Sequence, residues 1–274
     1  MKRLFRACAR AAALRALVIF ALGAGFGLVP IASAGLGGGA DFQAPTPAPE
    51  AAQRLAYSRN GVARVVNLET GEDTVLSGYN GLNADRYAAS PDGEWLASWR
   101  LTTGRRRQLS MISMITWERV ELGEFWATTP TLSWSPDGEW LAFGAKPSDR
   151  RHDYHDSELF LLNVETGLLR RLTFNRFRDD APDFSPDGRY LVFTSAQDGY
   201  NRLHLYDLET GERRLLTDQA FGYVPAWSPD GRQIAFSSNH EALHLQLYVI
   251  NADGSGLRRV TTSTADDTNP VWIP

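Results

Sequence analysis

The sequence predicts an all-β protein, a five-bladed β-propeller built from four-stranded antiparallel blades. A four-residue string, SPDG, occurs four times with spacings of 45, 50 and 43 residues, a period typical of propeller blades. Each copy precedes a short strand-like run, namely EWLAS, EWLAF, RYLVF or RQIAF. A single sheet of this kind leaves both faces bare, and stacking such sheets around an axis buries them.

Within each blade the SPDG string predicts the turn between the first two strands, because Ser, Pro, Asp and Gly suit the successive positions of a type I turn. The second half of the blade is an apolar strand, another tight turn and a polar strand. Its three clearest copies are LFLLNVETGLLRRLT, LHLYDLETGERRLLT and LYVINADGSGLRRVT. Aromatic residues end the innermost strands and are expected to pack between blades; they are Trp134, Phe184, Trp227 and Trp272.

The two ends of the repeat region, residues 54–274, complement each other. Residues 54–77 resemble the outer three strands of a blade, and the C-terminal TNPVWIP resembles the missing inner strand. Trp272 follows Trp227 by 45 residues, which is one further period. We therefore expect a composite blade from both termini to bring the count to five and close the ring, which removes free sheet edges.

The segment before the repeats predicts export. Residues 1–34 combine five cations, no acid and an apolar run, and Ala32 and Ala34 provide the A-x-A spacing of a signal peptide cleaved after Ala34. The alternative is an uncleaved membrane anchor, although the apolar run is short for a bilayer. Cys8, the only cysteine, lies in this segment. Residues 35–53 predict a flexible Gly/Pro/Ala-rich linker.

Composition excludes several classes of function. The whole chain carries a net charge of −4, and without the first 34 residues the remainder carries −9. A nucleic-acid partner is therefore not expected. A mature chain without cysteine has neither a disulfide nor cysteine-based chemistry. We expect no cofactor and a monomeric propeller.

The SPDG-x-x-[LI]-A-F strand pair and the LYVINADGSGLRRVT half-blade resemble TolB-type, WD-like propeller repeats over residues 54–274. The resemblance implies an exported binding module whose partner is a protein or peptide of the cell envelope, or a secreted one, rather than an enzyme. TolB-like proteins carry an N-terminal α/β domain and six blades, whereas a linker precedes five predicted blades here. Related propellers accompany peptidase domains, but the chain contains no G-x-S-x-G nucleophile motif.

The candidate binding face is the one opposite the SPDG turns, because variable connections gather there. These connections are rich in aromatic residues, which could grip a peptide or glycan or could instead wedge between blades. The aromatic candidates are Tyr79, Phe125, Trp126, Phe174, Phe177, Phe221 and Tyr223. Arg105, Arg106 and Arg107 form a triple-arginine candidate for a carboxylate or phosphate.

Charged residues in the same connections leave two alternatives open. The loop around His152, Asp153, His155, Asp156 and Glu158 has metal-ligand side chains, but a solvated charged loop is the preferred interpretation, because neighbouring residues of one loop do not preset a coordination shell. Carboxylates at the starts of inner strands could surround a funnel, as in five-bladed glycoside hydrolases, which makes a glycan hydrolase or glycan-binding protein the alternative function. They are Asp85, Asp179, Asp180, Asp266 and Asp267.

Overall fold

A computed structural model of the chain describes residues 54–60, 62–75, 87–102, 106–127, 129, 131–147, 157–218 and 222–273. The predicted signal peptide and linker lie outside these residues. Apart from a short 3-10 helix at Gln197–Gly199, the regular structure in them is β-strand. The strands are β1 (Arg54–Arg59), β2 (Val62–Asn67), β3 (Asp73–Val75), β4 (Tyr87–Ala89), β5 (Trp95–Leu101), β6 (Arg107–Ser113), β7 (Arg119–Ala127), β8 (Ser133–Trp134), β9 (Trp140–Lys146), β10 (Glu158–Asn163), β11 (Leu169–Arg171), β12 (Asp179–Phe184), β13 (Tyr190–Ser195), β14 (Arg202–Asp207), β15 (Arg213–Leu215), β16 (Tyr223–Trp227), β17 (Gln233–Ser238), β18 (Gln246–Asn251), β19 (Arg258–Arg259) and β20 (Asp267–Ile273).

These strands form antiparallel sheets, as predicted. The β12–β15 sheet and the β16–β19 sheet each contain four strands in chain order. An eight-stranded sheet contains a β4–β7 half and a β8–β11 half, joined where Trp126 and Ala127 of β7 pair with β9. The inner strand β8 is only two residues long, since the end of β7 occupies part of the edge of β9. Two units predicted as separate blades therefore share backbone hydrogen bonds.

The SPDG turns form as expected from local chemistry. In the first, the N–H of Gly93 donates to the carbonyl of Ser90 at 2.9 Å, and Gly93 has a φ of +71° that suits glycine. Asp92 accepts hydrogen bonds from the Ser90 hydroxyl and the N–H of Glu94. The other three copies repeat these contacts, so each string specifies its own hairpin.

A composite sheet joins the two ends of the repeat region, in the order β20-β1-β2-β3. Leu55 pairs with Trp272, and Ala56 pairs with Val271. This confirms the predicted pairing of the first and last strands. The count of five blades and the closure of the ring remain predictions.

Aromatic residues pack each sheet against the one before it in the chain. Trp134 and Phe143 of the β8–β11 half pack on the β4–β7 half. The same two positions pack the next sheets: Phe184 and Phe193 on the β8–β11 half, Trp227 and Phe236 on the β12–β15 sheet, and Trp272 and Tyr57 on the β16–β19 sheet. The indole N–H groups of Trp134 and Trp272 also donate to carbonyls of the preceding inner strands.

The β4–β7 half is the exception to this packing. Counted from its SPDG turn, the positions of Trp134 and Phe143 are occupied by Ala89 and Ser98. Ser110 pairs with Ser98 as Phe160 pairs with Phe143, so it stands where the other half has Phe160. Ala89 is exposed, and the buried hydroxyl of Ser110 has no hydrogen-bond partner. In the part of the chain that the structure describes, no apolar cluster joins this face to the composite sheet.

Candidate functional site

The candidate site is the loop face, defined here as the end of the sheets opposite the SPDG turns. Antiparallel order places two kinds of connection there: those between the second and third strands of a unit, and those that lead to the next unit. Tyr79, Asp85, Arg105, His152, Asp153, His155, Asp156 and Phe221 lie outside the described residues. Among the residues that are described, no group of three His, Cys, Asp or Glu is arranged to hold a metal ion.

Exposed apolar side chains mark the described part of this face. Phe174 is 74% exposed and Phe177 is 38% exposed, and both belong to the β11–β12 connection. The Arg171 guanidinium lies 4.6 Å from the centroid of the Phe174 ring. The other loop-face examples are Tyr200 in the β13–β14 connection and Leu243 in the β17–β18 connection. Such side chains provide contact area for a partner.

The aromatic pair at the end of β7 divides between surface and core. Trp126 is half-buried, with the Arg106 guanidinium 5.3 Å from its ring centroid. Phe125 instead packs edge-on against Phe143, with ring centroids 4.9 Å apart. The predicted loop is a strand here, because β7 continues to Ala127 to reach β9. Phe125 therefore lies in the packing between the β4–β7 and β8–β11 halves.

The other predicted site residues near these connections differ in how exposed their side chains are to solvent. Arg107 is half-buried, and its Nε donates to the carbonyl of Ala127 at 3.2 Å. Tyr223 is half-buried in β16. Asp266 is exposed, and its Oδ1 accepts a hydrogen bond from the N–H of Leu245 at 2.8 Å.

Two predicted funnel carboxylates of β12 are buried and held by donors. Asp179 accepts hydrogen bonds from Ser195 at 2.5 Å and Asn175 at 2.7 Å, and Arg213 lies 3.5 Å away. Asp180 accepts from Ser157 at 2.7 Å and from Arg178 Nε at 2.5 Å. Each oxygen that could transfer a proton to a ligand is thus bound within the protein.

Asp180 also depends on the glycine opposite it. A Cβ built on Gly144 of β9 would lie 2.1 Å from Asp180 Oδ1. The carboxylate therefore sits against bare backbone of the neighbouring sheet, and β9 needs glycine at this position.

Asp267 belongs to a charge network in the composite sheet. Arg59 donates to both of its carboxylate oxygens, at 2.5 and 2.9 Å, and also to Asp73 at 3.1 Å. Burial by itself raises the pKa of Asp73, but hydrogen bonds from Arg64 and Tyr57 lower it overall. Burial and the hydrogen bond to Asp73 raise the pKa of Tyr57. The network links β1, β2, β3 and β20, which is a structural role.

A cavity of about 280 Å³ lies beside the inner strands β12, β16 and β20. Three residues on its wall, Ala181, Val224 and Asn269, have φ values of +51°, +47° and +56°, and each precedes a proline at a β-bulge. Such conformations are costly for residues other than glycine, above all for β-branched Val224. The lining residues are Thr131, Leu132, Ala181, Pro182, Asp183, Val224, Pro225, Ala226, Trp227, Pro229, Asn269, Pro270, Val271 and Trp272.

Asp183 is the carboxylate that lines this cavity, and it is half-buried. Its Oδ1 accepts a hydrogen bond from Ser133 at 2.8 Å, and its Oδ2 accepts one from the N–H of Trp227 at 2.7 Å. Burial raises its pKa to about 6, although these hydrogen bonds act in the opposite direction. Asp183 therefore connects three successive inner strands. Asp183 is not among the residues predicted from the sequence, although a carboxylate stands out at a position where the other inner strands carry the uncharged residues Ala88, Ser133, Ala226 or Val271.

The comparison with known families agrees with this architecture. The sequence profile of the TolB beta propeller domain matches residues 44–221, which is more than half of the chain. The chain belongs to the TolB beta-propeller family. A second profile, that of the dipeptidyl peptidase IV N-terminal region, matches residues 171–272.

This TolB-family chain is similar to curated proteins and to solved structures. The Tol-Pal system protein TolB of Anaeromyxobacter dehalogenans is 40% identical over 117 residues, which are 42% of this chain and 26% of that protein. The chain thus spans about a quarter of the length of the curated TolB relatives it matches. The TolB structures from Agrobacterium tumefaciens and Acinetobacter baumannii superpose with TM-scores of 0.59 and 0.56 at 18% identity.

Coverage differs between these two structures. The first match covers 81% of this chain and 87% of that chain, and the second covers 78% and 54%. At this level of identity the likeness concerns the fold. No helix among the described residues of the TolB-family chain has the length and apolar character needed to cross a membrane.

Proposed function

We propose that this TolB-family chain is an exported, five-bladed propeller of the cell envelope that binds a protein or peptide on its loop face. It acts as a binding module and catalyses no reaction. Curated relatives that carry the name TolB support the assignment to the envelope. The composite sheet and the 45-residue step from Trp227 to Trp272 support a ring closed by both termini.

The observation that carries the binding role is the exposed pair Phe174 and Phe177. Both rings are exposed to solvent, although the loop that carries them, residues 172–178 between β11 and β12, is only seven residues long. Arg171 and Arg178 are paired with Glu158 and Asp180. Arg176, between the two rings in sequence, is exposed, so the connection combines apolar area with positive charge. That combination suits a peptide or a protein surface.

The same observations argue against hydrolysis of a glycan. A hydrolase needs two carboxyl groups that can reach the substrate, whereas Asp179, Asp180 and Asp267 are buried and bound to arginine. We therefore propose that these aspartates stabilise the strand ends. If the purified protein released product from a polysaccharide, the glycan-hydrolase alternative would be favoured again.

Replacing Phe174 or Phe177 with serine should weaken binding of the partner by about 1 to 3 kcal/mol each. The fold should survive, because both rings are exposed. Residues 35–274 serve as bait in envelope extract, and the captured protein is then purified and titrated against each variant. Leu168→Ser is the matched control, since Leu168 is 59% exposed at the opposite end of the sheets. Equal losses in all three variants would contradict a binding site on the loop face.

Export predicts a defined N-terminus for the mature protein. Cleavage after Ala34 should leave Gly35 as the first residue, and Ala34→Phe should slow processing because the A-x-A site requires small residues. N-terminal sequencing of protein from the envelope fraction measures both effects. Recovery of Met1 or Lys2 in that fraction would instead indicate a propeller anchored through residues 1–34.

A further inference from the structure

The turn between β6 and β7 departs from its counterparts in the other units. Three counterpart turns carry Glu-Thr-Gly, at residues 69–71, 165–167 and 209–211. The β6–β7 turn carries Ile115, Thr116 and Trp117 at these positions, and these three residues are called the ITW tip below. A charged residue and a glycine are thus both replaced by bulky apolar residues within one turn.

The backbone of the ITW tip nevertheless follows the glycine-containing turns. The N–H of Trp117 donates to the carbonyl of Ser113 at 2.9 Å, as the N–H of Gly71 donates to that of Asn67. Trp117 has a φ of +61°, and Gly71 has one of +72°. Left-handed backbone costs energy for a bulky side chain and little for glycine. Tryptophan therefore makes this turn less favourable than its counterparts, and folding does not explain its presence.

Both apolar side chains of the tip face solvent. Ile115 is 58% exposed and Trp117 is 65% exposed, and Val120 at the start of β7 is 37% exposed beside them. In the counterpart turns, a Cβ built on Gly71 or Gly167 meets no atom within 4 Å, so side chains at this position extend away from the sheet. The ITW tip is a projecting apolar surface on the face that carries the SPDG turns, away from the loop face.

The surroundings of the tip are acidic. Asp92, Glu94 and Glu118 are exposed around it, and Arg119 is the nearby cation. The other turns at this end of the sheets add ten acids against the cations Arg189 and Arg232, and Arg189 is already paired with Asp207 and Glu209. The ten acids are Glu69, Glu72, Asp137, Glu139, Glu165, Asp187, Glu209, Glu212, Asp230 and Asp253. Anionic lipid headgroups would be repelled by such a face. A basic protein surface would be attracted to it.

We propose that the ITW tip is a second binding surface, which inserts Ile115 and Trp117 into an apolar pocket with a basic rim on a partner protein. Tryptophan is the residue type most enriched among side chains that dominate binding energy. The acidic face around it would steer the partner and set the orientation. This inference does not depend on the loop face, because different residues at the other end of the sheets carry it.

The test begins with a photo-reactive benzoylphenylalanine placed at position 117 of the full chain in its own host. The same group at position 165, in a counterpart turn, is the matched control. A protein cross-linked from position 117 and not from position 165 is identified, purified and titrated against the wild-type chain. The double variant I115E/W117G, which restores the Glu-Thr-Gly sequence, should bind it roughly thirtyfold more weakly.

Stability and salt dependence separate binding from folding. The double variant should melt at the same temperature as the wild type or higher, because glycine accepts the left-handed backbone. Association with the wild-type chain should slow as salt concentration rises. Unchanged affinity of the double variant, a melting temperature several degrees lower, or cross-links only to lipid or to a second copy of the chain would overturn the proposal.

Discussion

A chain that lacks residues 269–274 is expected to aggregate or to melt at a far lower temperature than the full chain. The deletion removes Trp272, which is buried against the β16–β19 sheet and donates its indole N–H to Ala226 at 2.9 Å. It also exposes Leu55 and Tyr57, which are completely buried. Loss of a buried Trp alone costs about 3 to 5 kcal/mol, a large part of the usual margin of about 5 to 15 kcal/mol.

Two substitutions make this prediction specific. Trp272→Phe keeps a buried ring and loses one hydrogen bond, so it should cost only about 1 to 2 kcal/mol. Trp272→Ala should cost nearly as much as the deletion. Thermal unfolding of the full chain, the truncated chain and the two Trp272 variants measures the order of their melting temperatures directly. A truncated chain that melts within a degree or two of the full chain would show that the composite sheet contributes little to the fold.

Asp183 should make the protein lose stability as the pH rises from about 4 to about 7. Its pKa of about 6 in the folded state lies above the ordinary value of 3.8, so between these values the folded state binds more protons than the unfolded state. Stability must then fall with rising pH. At 1.36 kcal/mol for each pKa unit, the expected loss from this group between pH 4 and pH 7 is about 2 kcal/mol, because the unfolded carboxyl is already partly ionised at pH 4.

The comparison with Asp183→Asn isolates this effect. Asp73, Asp207 and Asp253 have lowered pKa values, and they contribute the opposite dependence, which is lost as the pH falls through those lowered values. The difference in unfolding free energy between the D183N variant and the wild-type chain removes their contribution. Relative to wild type, D183N should be about 2 kcal/mol more stable at pH 7 than at pH 4. A difference independent of pH would mean that Asp183 ionises normally.

Local chemistry explains what could be predicted of the fold. Each SPDG turn is closed by hydrogen bonds within six residues, so the four hairpins follow from the string itself. The pairing of β1 with β20 followed from the complementary ends of the repeat. The joining of β7 to β9 was missed because it depends on two residues, Trp126 and Ala127, that continue a strand beyond its usual end.

The charged residues of the site were harder to interpret, because their partners are distant in sequence. Asp267 was selected as a funnel carboxylate, yet Arg59, which binds it, lies 208 positions away. Arg213 in the same way neutralises Asp179 from another strand. The sequence shows which acids stand at the starts of inner strands. Whether such a carboxylate pairs with an arginine or is exposed to solvent depends on the tertiary fold.

The small residues Ala89, Ser98 and Ser110 have a consequence for how the sheets share stability. In repeat architectures the stability is close to a sum of one contribution from each unit and one from each neighbouring interface. Among the described residues, four pairs of sheets share an aromatic interface, and none of these clusters joins the composite sheet to the β4–β7 half. Over the described residues, the aromatic interfaces thus form a linear series with the β4–β7 half at one end and the composite sheet at the other.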